Sequence, residues 1–116
     1  MIINRHERCW GLVLWKWKQL FVQLWFCPRG YKIQPHSHND EDIELMYIAG
    51  NATFYRIKNG IQESFTPGRK DSGTRFTVSA GTKHWFSVSD VPLLFINISR
   101  FKDGTIPRSA ALDFHT

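Results

Sequence analysis

The chain has 116 residues, of which 42% are hydrophobic and 15% aromatic, a composition that excludes a disordered segment and a disulfide-stapled peptide. Its net charge of +5 comes from 15 Lys and Arg against 10 Asp and Glu, and the basic residues are spread singly along the chain. A nucleic-acid partner is therefore not expected, whereas a small anionic ligand suits this charge.

The N-terminal third predicts strands and no membrane span. Residues 10–27 have the length of a span, but two lysines and two glutamines interrupt them, and such residues are costly at the bilayer centre. The segments 10–17 and 20–27 are instead apolar on both alternating faces, which is typical of strands covered on both sides. The first ten residues are too charged for a signal peptide, so we predict a cytoplasmic protein.

Two cysteines, Cys9 and Cys27, are too few for a disulfide framework and match no Cys/His metal-binding pattern. We therefore predict reduced thiols that pack in the core.

Strands and turns also account for the rest of the chain. The pair Asn59-Gly60 predicts a hairpin within 52–65, because a type I′ turn requires positive φ at both central residues. The region 100–116 lacks periodicity and is predicted to be an irregular tail. The remaining strands are predicted over 31–35, 43–50, 75–79, 82–89 and 92–99. Short strands separated by turn signals, with no amphipathic helix, predict an all-β antiparallel sandwich or barrel forming one domain over 1–116.

Three histidines are the candidate metal ligands in the sequence. His36 and His38 are two residues apart, so on a strand their imidazoles would point to the same face. His84 follows a glycine turn on a later predicted strand and is the candidate third ligand. Three imidazoles and a carboxylate suit a divalent ion such as Fe, Mn, Ni, Co or Zn.

The spacing around His36 and His38 resembles the first motif of the cupin superfamily, G-x5-H-x-H-x3,4-E-x6-G. This chain has Gly30, five residues, His36-Ser37-His38, and Gly50 at the expected overall length.

The spacing around His84 resembles the second cupin motif, G-x5-P-x-G-x2-H-x3-N. Gly73, Gly81 and His84 stand at the motif's positions, whereas Ser79 replaces the proline and Val88 the asparagine. The resemblance covers roughly residues 20–100. It implies a double-stranded β-helix, or jelly-roll barrel, with His36, His38 and His84 as metal ligands.

The fourth ligand implied by the resemblance is a carboxylate shortly after His38. The motif places it near Asp42, and Glu44 aligns if the loop has gained a residue; we favour Glu44 and keep Asp42 as the alternative. The acidic run 40–42 is otherwise expected to face water. One of its members is a candidate acceptor for the outer N–H of a ligand imidazole.

Four further side chains are candidate anchors for an anionic substrate. Arg75 precedes the strand of His84 and Lys83 is its neighbour; the other two are Arg56 and Tyr55 in the predicted hairpin. For each of them, simple solvent exposure is the alternative.

The resemblance implies three functional hypotheses, because cupins include enzymes and non-enzymatic binders. We expect a metal-dependent enzyme of dioxygenase or isomerase type acting on a small, anionic molecule. The alternatives are a non-catalytic module that binds or senses a small molecule, and an interaction scaffold. Trp10, Trp15, Trp17 and Trp25 cannot all fit inside a small barrel, so we also expect a homodimer.

Overall fold

The computed structural model describes residues 2–102, and within them nine strands and one 3-10 turn form an all-β structure, as the sequence predicts. The elements are β1 (Ile3–His6), β2 (Cys9–Trp17), β3 (Leu20–Cys27), β4 (Glu41–Ala49), β5 (Ala52–Lys58), β6 (Ile61–Phe65), the 3-10 turn (Arg69–Asp71), β7 (Arg75–Val78), β8 (Lys83–Val88) and β9 (Leu93–Phe101).

Two antiparallel sheets build the molecule. The large sheet has the order β1-β2-β3-β9-β4-β7, and the small sheet has the order β6-β5-β8. Inward residues of both sheets form one core rich in aromatic side chains. Phe54 of the small sheet lies 6.2 Å from Phe95 of the large sheet between ring centroids, and both rings are fully buried. The sandwiched rings hold the two sheets together through apolar burial.

A glycine in β2 makes room for the largest core side chain. Gly11 is paired with Trp25 of β3, and a Cβ atom at Gly11 would lie 2.5 Å from the Trp25 ring. The indole therefore lies against the β2 backbone, an approach that only glycine permits. Cys9 and Cys27 are free and fully buried beside this region, as expected of packing thiols.

The predicted hairpin is present, with Asn59 at φ 54° and Gly60 at φ 77° in the turn between β5 and β6. Within residues 2–102, no helix is long and apolar enough to cross a bilayer.

Several predicted elements differ from the observed ones. β1 was not predicted, since its four residues show no apolar alternation. The strand predicted over 31–35 is absent; Lys32 and His36 form only isolated bridges to β8. β7 and β8 are joined by a glycine turn but belong to different sheets. β9 extends to Phe101, and most of the predicted irregular tail lies outside the described residues.

Candidate metal centre

The three histidines meet where the segment that follows β3 pairs with β8. The backbones of His36 and His84 exchange two hydrogen bonds, of 3.1 and 2.8 Å, which fix His36 beside the strand. His38 follows two residues later, just before β4 begins. The ring centroids are 4.3 Å apart for His36–His84, 5.1 Å for His36–His38 and 5.4 Å for His38–His84. The predicted strand geometry for His36 and His38 is wrong, but the two rings still converge, because a bridge to β8 replaces the strand.

Each imidazole is held through its Nδ1 atom. Nδ1 of His36 donates to the carbonyl of Gln34 over 2.7 Å, and Nδ1 of His84 donates to the carbonyl of Thr82 over 3.0 Å. Nδ1 of His38 lies 3.3 Å from a carboxylate oxygen of Glu41. A carbonyl can only accept a hydrogen bond, so the proton of His36 and His84 lies on Nδ1. The Nε2 lone pair is then the one available to a metal.

Burial favours the neutral form of two of these imidazoles, those of His36 and His84. It lowers the pKa of His84 to about 4, with smaller contributions in the same direction from His36 and His38. It also lowers the pKa of His36, and His6 adds to that effect. Neutral imidazole is the form that binds metal, so His36 and His84 are in their binding form at neutral pH.

The donor set fits a divalent metal ion. One potential ligand atom from each of the three histidines lies within 4.8 Å of the others. Imidazole nitrogens bind Zn²⁺ at about 2.1 Å, so two ligands of one ion lie at most about 4.2 Å apart. A small side-chain movement therefore suffices to bring all three nitrogens onto one ion.

The strand β4 turns the two predicted carboxylates away from this cluster. Its buried positions are Glu41, Ile43, Leu45 and Tyr47, so the intervening residues face outward. Glu44 lies 3.1 Å from a guanidinium nitrogen of Arg75, and Asp42 accepts a hydrogen bond from the backbone of Ala80.

The carboxylate that faces inward is Glu41, which is only 7% exposed. It belongs to the acidic run from which one acceptor for a ligand imidazole was expected, and it contacts His38 in that manner. The inward position of Glu41 could have been predicted from the sequence. Ile43, Leu45 and Tyr47 alternate along the strand, and the same alternation extended backwards reaches Glu41.

Of the predicted anchors, Arg56 shares a face with the cluster. It is paired in register with His84 across β5 and β8, which places both side chains on the inner side of the small sheet. Its guanidinium lies 4.7 Å from the Phe76 ring centroid and donates to Glu63 over 3.0 Å and to the Thr77 carbonyl.

The other predicted anchors lie elsewhere. Tyr55 stacks on Trp85 on the outer side of the small sheet, and Lys83 is exposed on that same side. Arg75 is paired with Glu44 on the outer face of the large sheet.

Sequence reasoning also missed a group of buried polar side chains on the inner face of the large sheet. Asn4 donates to Gln23 over 2.8 Å, and Asn97 donates to Ser99 over 2.9 Å. Ser99 is paired with Ile43 of β4, near the end of that strand where Glu41 lies. The isolated Asn97 and Ser99 within the apolar run of β9 were the available signal, because polar residues are rarely buried without a reason.

No protein-family model and no curated protein matches the chain. Solved structures do match. KdgF from Halomonas sp. superposes with a TM-score of 0.71 at 16% identity, over 88% of this chain and 89% of that chain. The cupin domain of Schizosaccharomyces pombe Cnp3 gives a TM-score of 0.69 at 8% identity, over 89% of this chain and 70% of that chain.

A longer protein contains the same fold as one part of its chain. Lactobacillus farciminis oxalate decarboxylase, in a formate complex, gives a TM-score of 0.71 at 19% identity, over 88% of this chain and 31% of that chain. At such identities the similarity is one of fold. Its two antiparallel sheets and these structural neighbours show that the chain has the fold of a small cupin.

Proposed function

We propose that His36, His38 and His84 hold a single divalent metal ion. The observation that carries this proposal is the convergence of three imidazoles, two of which are fixed as Nδ1–H tautomers by backbone carbonyls. Hydrogen bonding at the outer nitrogen is the arrangement that supports metal-ligating histidines in proteins.

The ligand set limits which metals can bind here and which role a bound metal can have. Imidazole suits Fe, Mn, Ni, Co or Zn, whereas Mg and Ca prefer oxygen ligands. Three protein ligands leave coordination positions open, as in catalytic rather than structural sites. A metal bound here supplies Lewis-acid polarisation or an activated water, and dioxygen chemistry if it is Fe(II).

Two charged side chains, Glu41 and Arg56, complete the proposed site. Glu41 accepts the outer N–H of His38 and thereby holds that ring in position. Arg56 is the register partner of His84 on the inner side of the small sheet, and its contacts with Glu63 and Phe76 fix the guanidinium plane. Such a fixed guanidinium is suited to a carboxylate or phosphate group of a substrate.

We therefore propose a metal-dependent enzyme of dioxygenase or isomerase type that acts on a small anionic molecule. One protein with the same fold is named oxalate decarboxylase, after a small carboxylate. We also propose that the enzyme is a homodimer. A non-catalytic module that binds the same kind of molecule is the second candidate, and the fixed Arg56 supports it equally.

Elemental analysis of protein purified without a metal-affinity tag tests the metal centre. We expect close to one equivalent of transition metal in the wild type and loss of the metal in the double variant His36→Ala/His84→Ala. The matched control is His6→Ala, which removes an imidazole outside the cluster and should leave the metal content unchanged. A wild type that stays free of metal after reconstitution would overturn the proposal.

Turnover separates the enzyme from the binding module. We expect small carboxylic and phosphorylated acids to raise the thermal unfolding temperature of the metal-loaded protein, and Arg56→Gln to weaken that effect. Consumption of such a ligand by the loaded wild type supports the enzyme. Stabilisation without consumption supports the binding module.

A further inference from the structure

Two carboxamide side chains lie side by side on the inner face of the large sheet. Gln23 of β3 and Asn97 of β9 are paired in register, and only 1% and 3% of their surfaces are exposed. The neighbouring inward residues of the same two strands, Trp25 and Phe95, are aromatic. Polar side chains are rarely buried at such positions, so these two amides need a physical reason to be there.

Each of these amides has polar atoms that the protein does not satisfy. Among residues 2–102, the Gln23 side chain forms one hydrogen bond, which its Oε1 accepts from Asn4 over 2.8 Å. The Asn97 side chain also forms one within this range, which its Nδ2 donates to Ser99 over 2.9 Å. The N–H groups on Nε2 of Gln23 and the acceptor Oδ1 of Asn97 are left over. Because buried polar groups are nearly always hydrogen-bonded, this arrangement indicates a bound molecule.

The amides lie opposite the strand that carries His84. Across the core, Phe86 of β8 contacts Phe95 of β9, with 5.5 Å between the ring centroids. One inward position further along β8 is His84, and one inward position further along β9 is Asn97. These two steps place His84 and Asn97 at the same level if they lead towards the same end of the molecule.

The contacts of Arg56 show that the two steps do lead towards the same end. Arg56 of β5 is the register partner of His84, and its guanidinium lies 4.7 Å from the Phe76 ring centroid. Phe76 belongs to the same transverse row as Asn97, because Leu45 of β4 is paired with both of them. The small-sheet residues of the candidate site therefore face the row of the large sheet that contains the two amides.

We propose that Gln23 and Asn97 recognise hydroxyl groups of the substrate, so that the preferred ligand is a small hydroxylated carboxylic acid. This inference rests on the proposed function, in which the metal and Arg56 bind the anionic group. Nε2 of Gln23 supplies donors and Oδ1 of Asn97 supplies an acceptor, and a hydroxyl group can serve both. An alkyl chain would leave these atoms buried without partners, which is how a site rejects an analogue that lacks a hydroxyl group.

Isothermal titration calorimetry of the metal-loaded protein tests the inference with two acids, glycerate and propionate. The acids share the carboxylate and the carbon chain, but only glycerate has hydroxyl groups. We expect the wild type to bind glycerate at least about 10-fold more tightly than propionate. In Gln23→Met, which keeps the side-chain length but removes the amide, this ratio should fall at least about fivefold while the affinity for propionate stays the same. A hydroxyl group bound to the metal would also favour glycerate, but that contribution does not depend on Gln23.

Two further variants serve as controls. Gln62→Met makes the same chemical change at an exposed position of β6 and should leave the ratio unchanged. Gln23→Met leaves the buried amide of Asn4 without its acceptor, so the double variant Asn4→Leu/Gln23→Met removes both partners of that hydrogen bond. Thermal unfolding and cobalt stoichiometry verify that each variant is folded and still binds the metal.

The outcomes separate this inference from the proposed function. Loss of the glycerate preference in the Gln23 variants, with cobalt binding intact, supports the hydroxyl-recognising role. A metal-loaded wild type that does not distinguish the two acids would overturn it, as would a preference that survives in both Gln23 variants. The amides would then hold a structural water, and the metal centre would still stand. A wild type that binds no metal would overturn the proposed function and this inference together.

Discussion

Burial of the histidines makes the metal-free protein sensitive to acid. His84 is only 5% exposed, and neighbouring imidazoles further disfavour its charged form. Its pKa falls from 6.5 to about 4 in the folded protein, so between these values the unfolded chain binds more protons than the folded one. Stability that is present above pH 6.5 is therefore lost as the pH falls towards 4.

We predict that metal-free protein loses roughly 2 kcal/mol of unfolding free energy between pH 7.5 and pH 5 from His84 alone. Urea unfolding in the presence of a chelator measures this loss, and pH 5 is high enough to keep most carboxylates ionised. The variant His84→Gln should show a shallower dependence, with the remainder attributable to His36. Equal stability at the two pH values would contradict the assigned burial of His84.

A second residue-scale prediction concerns the contact of Gly11 with Trp25. In Gly11→Ala, the new methyl group would overlap the buried indole at 2.5 Å, so the ring or the strand must shift. We expect a loss of about 1–3 kcal/mol in urea unfolding, the usual cost of overpacking a core. Gly68→Ala is the control, because its Cβ meets nothing closer than 3.8 Å. Similar losses in both variants would show that Trp25 does not pack against Gly11.

At the scale of elements, the parity of β4 decides which carboxylate lies beside the histidine cluster. Glu41 and Glu44 are three residues apart on one strand and therefore face opposite sides of the sheet. We predict that Glu41→Gln lowers metal affinity about 10- to 100-fold, the usual effect of removing an outer partner of a ligand imidazole. Glu44→Gln, the same chemical change on the outer face, should leave the affinity unchanged. Calorimetric metal titrations measure both, and the reverse ranking would identify Glu44 as the ligand.

Sequence reasoning succeeded where local chemistry determines structure. Asn59-Gly60 specifies its turn, and the motif spacing identified the three histidines that come together. It failed where pairing between distant strands decides. β7 and β8 join different sheets because β7 pairs with β4 and β8 pairs with β5, and such pairing between distant strands is not encoded in a short window of residues. The parity of β4 was available locally, in the alternation of Ile43, Leu45 and Tyr47.

At the scale of the whole molecule, the two faces of the large sheet have different surroundings. The inner face closes the core beside the histidines, whereas Trp15 and Trp17 on the outer face are exposed. The proposed metal and the proposed partner subunit should each stabilise the fold, because each binds the folded state selectively.

Cobalt(II) titration, followed by visible absorption, tests the metal centre most directly, because imidazole ligands give Co²⁺ a characteristic spectrum. We predict saturation at one equivalent per chain in chelator-treated wild type, and no saturable signal in His36→Ala/His84→Ala, while His6→Ala behaves like the wild type. A wild type that shows no saturable signal, or a double variant that binds as tightly as the wild type, would contradict the three-histidine metal centre.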